Sequence, residues 1–110
     1  RIPRAPKAQV WALVESDFAA AAERLPERYP DSDAGRPTRG AALTLLAKAY
    51  LTQEKWTPAA QAAGQVITGG RYRLLDNWKD NFRIATEIRN DESIFELNFD
   101  PILDPGSGSV

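Results

Sequence analysis

The strongest alternation of apolar and polar positions lies between Gly40 and Ile67, where the chain reads GAALTLLAKAYLTQEKWTPAAQAAGQVI. Leu43, Leu46, Ala47 and Tyr50 recur at three, one and three residues, which puts all four on one helical face. Ala59, Ala63, Val66 and Ile67 follow a similar rhythm after a short joint at Thr52 to Trp56. The pattern predicts two antiparallel helices over residues 40–69. Thr57 is the expected N-cap of the second helix, with Pro58 at its first position, where a missing N–H costs nothing. Gly69 and Gly70 are expected to stop it. Small side chains at Ala47, Ala59 and Ala63 let the two backbones approach, and Leu43, Leu46, Tyr50 and Trp56 fill the remaining space. This hairpin resembles a tetratricopeptide-type unit, with Leu46, Ala47, Tyr50, Trp56 and Ala59 at the expected spacings and Ala63 where a large aromatic is usual.

Upstream, Lys7 to Leu25 predicts a helix whose stripe is Trp11, Val14, Phe18, Ala21, Ala22 and Leu25. Val10 falls at the edge of the stripe, and Glu15, Ser16, Glu23 and Arg24 are assigned to the opposite face. Pro26 ends the helix. Residues 26–39 hold Pro26, Pro30, Gly35 and Pro37 and predict a surface loop. Downstream, residues 71–75 read as extended. Asp76 is the expected cap of a brief helical turn from Trp78 to Phe82. Ser93 to Phe99 alternates Phe95, Leu97 and Phe99 with Ile94, Glu96 and Asn98, which predicts a strand. A lone strand needs a partner, either Tyr72 to Leu75 or sequence beyond this chain. Residues 100–110 read as a tail. The expected fold is a single, mostly α domain over 1–110: one helix, a tetratricopeptide-like helical hairpin, and a short C-terminal strand or hairpin.

Composition narrows the function. Fourteen basic residues against fifteen acidic ones leave a net charge of −1, which argues against a nucleic-acid binder. The chain has no cysteine and no histidine, so thiol catalysis, thiolate zinc sites and histidine general bases are absent from it. Its serines, Ser16, Ser32, Ser93, Ser107 and Ser109, have no positional partner that suggests a triad. Asp31, Asp33 and Gly35 resemble the opening of a calcium loop, but the position that needs a bidentate carboxylate is Ala42. No enzyme, metal or cofactor is expected. Arg36 and Arg39 flank the start of the hairpin at Thr38, where an anion can use a helix N-terminus; solvated arginines paired with Asp31 or Asp33 are the simpler expectation. The chain starts at Arg1 and shows neither a signal peptide nor an apolar run of membrane-spanning length, so it is expected to be a fragment of a longer protein.

Three stretches, taken in order, resemble one family: ESDFAAAAERLP at 15–26, GRPTRGAALTLLAKAYLTQEKWTPAAQAAGQVITGGRYRLL at 35–75, and NDESIFELNFD at 90–100. The chain is similar to the SusD/RagB family of cell-surface nutrient-binding lipoproteins. The diagnostic pieces are Asp17-Phe18 with Leu25-Pro26, Arg36-Pro37-Thr38 leading into Ala41-Ala42, Trp56 with Ala59, and Glu92 to Glu96. The resemblance implies a mostly helical, non-catalytic protein with tetratricopeptide-like helix pairs, lipid-anchored in the outer membrane and facing outward. It implies capture of glycans, or in some members peptides, and delivery to a SusC-like TonB-dependent transporter. The lipobox cysteine and the loop-rich remainder of such proteins are not among these residues, and family ligand sites are built mainly from such loops.

Trp11, Trp56, Trp78, Tyr50 and Tyr72 are the rings that can stack on a sugar. Trp11 and Trp56 fall on stripes expected to be buried, which leaves Trp78, beside Asp76, Asn77 and Lys79, as the candidate ligand-binding residue. The competing expectation is a generic tetratricopeptide-type adaptor for a protein or peptide. An adaptor repeat would be followed by another helix pair, not by GGRYRLL and a strand. A third expectation is self-pairing through the Phe95, Leu97 and Phe99 face.

Overall fold

The middle helix is apolar on more than one side because it has a helix on each side of it. The computed structural model describes residues 3–29, 36–82 and 91–96. Within them, α1 runs Lys7–Arg24, α2 Arg39–Thr52 and α3 Trp56–Thr68, followed by a five-residue 3-10 helix, Trp78–Phe82. α2 packs against both α1 and α3, and those two make no helix–helix contact of their own. The expected mostly helical class holds, with α1 and the hairpin where the periodicity places them.

Among the described residues the buried core is mainly alanine: Ala22, Ala41, Ala42, Ala49, Ala59 and Ala62, with only Leu43 and Leu46 supplying bulk. Leu43 clusters with Ala22 of α1 and Ala42, and Ala21, Leu25 and Val66 pack against that cluster. One side chain therefore ties all three helices together. Burying a leucine contributes about 1.5–3 kcal/mol, while the alanines act by letting the axes approach.

The helix ends show how the chain turns. Thr38 caps α2, its hydroxyl accepting from Ala41 N at 3.5 Å. Pro26 O accepts from Arg39 N at 3.0 Å, which pins the two ends of the intervening loop. Between α2 and α3, Tyr50 O accepts from Gln53 N and Lys55 N, and Glu54 turns the backbone with φ 61°, in the left-handed region. α3 starts at Trp56 with Lys55 at its N-cap and no side-chain cap. This corrects the expected Thr57 cap and moves Pro58 to the third helical position. Proline is tolerated there because N–H groups of the first turn have no intrahelical partner. α3 ends at Thr68, and Gly70 leaves it with φ 72°.

Glu15 is not on the outer face of α1 as expected. Its Oε1 accepts from Gln53 Nε2 at 2.8 Å and pairs with Lys55 Nζ at 2.7 Å, clasping α1 to the α2–α3 joint. The bond from Lys55, and then that from Gln53, hold the Glu15 carboxyl below the ordinary glutamate range. The joint therefore draws into a tertiary contact a charged residue expected on the outer face.

Over its described part, residues 93–96, the predicted strand is a second correction. Residues 93–96 are not in a strand, and Leu97, Asn98 and Phe99 lie outside the described residues, as do Asp31, Asp33 and Gly35. Alternation records which face of a segment is apolar, and among the described residues no neighbouring ladder matches it. What forms instead is one backbone bond, Arg73 N to Asp91 O at 3.0 Å, reinforced by side chains.

Candidate functional site

The surface beyond α3 is organised by residues 71–75, which fold back over the start of α2. Tyr72 is the key side chain. Its hydroxyl shares a hydrogen bond with Thr38 Oγ1 at 3.3 Å, and its ring lies on Gly40. A Cβ at Gly40 would collide with Tyr72 Oη and come within 2.6 Å of ring carbon Cε2, so the close approach requires glycine. The Arg71 guanidinium sits 5.0 Å from the Tyr72 ring centroid. The helix start, where the sequence offers an anion position only as the less simple of two expectations, is covered by a tyrosine ring.

Acidic residues hold this segment in place. Asp91 pairs with Arg73 Nε at 3.2 Å and Arg71 Nη1 at 3.7 Å. Glu92 Oε2 accepts from Leu75 N at 2.9 Å. That bond, followed by one from Asn81, keeps the Glu92 carboxyl below its ordinary range. Glu92 is therefore a loop anchor.

Trp78 opens the 3-10 helix, capped by Asn77, whose Oδ1 accepts from Lys79 N at 3.1 Å. Asn77 rather than the expected Asp76 makes this bond. The ring is 66% exposed; Phe82 meets it edge-on at 6.2 Å and 77°, and is itself 75% exposed. Lys79 Nζ lies 5.9 Å from the indole centroid. Asn81 Nδ2 donates to Trp78 O at 3.3 Å. The arrangement offers an open aromatic face beside amide and ammonium groups. Such a face can stack on a sugar or on apolar protein surface, and it carries no nucleophile–base pair. Among the described residues, no three acidic side chains gather as a metal site, and no helix is long and apolar enough to cross a membrane.

The hairpin residues fall into three groups. Leu43, Leu46 and Ala59 are buried; Ala47, Tyr50, Ala63 and Val66 are half-buried; Trp56 is 60% exposed. Trp56, expected to fill the inside of the turn, is instead a largely exposed first residue of α3. The sequence reading also missed Ala62, at 2% exposure the most deeply buried core residue named. The three-then-four spacing of Ala59, Ala62 and Val66 was the available signal.

No established family profile matches the chain. SusD-like protein P25 of Formosa agariphila is 30% identical over 90 residues, which is 82% of this chain and 17% of that protein. Among solved structures, a SusD-like carbohydrate-binding protein of Bacteroides fragilis NCTC 9343 superimposes with a TM-score of 0.87 and 26% identity, over 93% of this chain and 20% of that one. A second SusD-like protein from the same strain gives 0.80 and 25%, over 89% and 20%. A SusD superfamily protein of Bacteroides vulgatus ATCC 8482 gives 0.74 and 34%, over 86% and 20%. Over 82–93% of its own length the chain is similar to SusD-like proteins, and it spans about a fifth of the length of these relatives.

Proposed function

We propose that residues 1–110 form one domain, a non-catalytic helical frame within a larger SusD-like protein that captures nutrient oligosaccharides at the cell surface. In this reading the protein delivers them to a SusC-like TonB-dependent transporter and is held at the outer membrane by a lipid anchor outside this chain. The observation that carries the reading is the superposition on a SusD-like carbohydrate-binding protein over 93% of the chain. The binding site for sugar belongs mainly to segments beyond these residues, and Trp78 is the ring here placed to stack on a glycan. The adaptor reading is less well supported, because α3 is followed by the extended 71–75 segment clasped to Asp91 and Glu92.

Isothermal titration calorimetry with a panel of neutral oligosaccharides tests this. The full-length protein is expected to give submillimolar, sugar-selective heats, and Trp78→Ala to weaken them by no more than about tenfold. The 110-residue chain alone is expected to give none. Absence of any sugar heat from the full-length protein, or submillimolar binding by the 110-residue chain, contradicts the proposal.

A further inference from the structure

Helix α3 carries two apolar seams, and the described structure covers one of them. Ala59, Ala62 and Val66 form the first: Ala59 and Ala62 are buried, and Val66 packs on the Leu43 cluster. Trp56, Ala60, Ala63 and Ile67 form the second, spaced four, three and four. It lies roughly 100° round the helix from the first. On this second row Trp56 is 60% and Ile67 74% exposed, Ala60 is exposed and Ala63 half-buried. None of the thirteen residues of α3 is charged. A helix with water on its outer side ordinarily carries charge there. Large side chains at the two ends with alanines between them form a seam that lets a second helix axis come close.

We infer that the Trp56–Ala60–Ala63–Ile67 row is a helix-docking seam, and that its occupant is an apolar-faced helix from the part of the full-length SusD-like protein outside these 110 residues. The inference rests on reading this chain as a segment of a larger protein. Two observations select that occupant. The solved relative that superimposes on 93% of this chain has only 20% of its own length in the match, so most of such a protein lies elsewhere. The row is also small. From Trp56 to Ile67, eleven helical rises span roughly 16 Å and offer a few hundred Å², well below the roughly 800 Å² per partner that two separate molecules bury. A tethered helix needs less area, because its effective concentration is already high.

Thiol labelling of the folded full-length protein tests this. The 110 residues contain no cysteine, so Ile67→Cys, Ala60→Cys and, as an outward-facing control, Gln61→Cys are introduced one at a time into a background free of other reactive thiols. At the two seam positions a maleimide is expected to react about 100-fold more slowly than at the control, because the site must open before it reacts. The protection is expected not to change on dilution. Equal rates at position 67 and the control overturn the inference, and protection lost on dilution overturns it in favour of a second copy. If circular dichroism shows that Ile67→Cys does not fold, Ala60→Cys, the smaller change, decides alone. No sugar is added, so failure here and failure of the glycan reading are separate results.

Discussion

Leu43→Ala is expected to cost about 2–5 kcal/mol of stability, measured by urea unfolding followed by circular dichroism. The reason is the composition of the core. Leu43 is 5% exposed and sits among Ala22, Ala42, Ala21, Leu25 and Val66, so its removal opens a cavity where α1, α2 and α3 meet. Alanine neighbours have no side-chain length with which to close that space, which places the cost towards the upper part of the range. Leu51 of the same helix is the control: it is 55% exposed, and Leu51→Ala is expected to stay within about 0.5 kcal/mol. Equal effects at the two positions would mean that α2 does not lie between two helices as described.

Gly40→Val is expected to destabilise by about 1–3 kcal/mol through overpacking. Its Cβ would collide with the Tyr72 hydroxyl and ring edge, so the ring must leave, breaking the bond to Thr38 and uncovering the start of α2. The cost should depend on the ring. Tyr72→Ala is expected to make room for the valine, so the double variant should be more stable than the sum of the single effects predicts. Strict additivity would show that Tyr72 does not rest on Gly40.

Much of this architecture is legible in the sequence, because apolar periodicity marks where helices run. α1 ends at the residue before Leu25, and the joint between α2 and α3 falls inside the predicted Thr52 to Trp56 span. Faces are harder to read. α3 is apolar on two sides, so spacing alone groups Ala59 and Val66 with Ala63 and Ile67, whereas packing groups those first two with Ala62. Trp56 is expected inward because it falls on an apolar stripe and tryptophan usually buries its large surface, yet it is 60% exposed at the start of α3. Glu15 was assigned outward because it is charged; only the fold reveals Gln53 and Lys55 beside it. The clasp of Asp91 and Glu92 on residues 71–75 joins segments about twenty positions apart and leaves no periodic trace. Trp78 is the ring the sequence marks as most exposable, because its neighbours are polar, although core or edge packing is the simpler expectation for a tryptophan; the fold leaves it 66% exposed.

The central physical claim is that α2 is the axis of a frame on which α1 and α3 are laid. Amide hydrogen exchange read by mass spectrometry tests it most directly, since exchange is slowest where opening must disrupt the most packing. The slowest amides are expected in α2 between Leu43 and Ala49, with faster exchange in α1 and α3 and the fastest after Gly70. Protection in α1 or α3 exceeding that of α2, or exchange of α2 within seconds, would contradict the account.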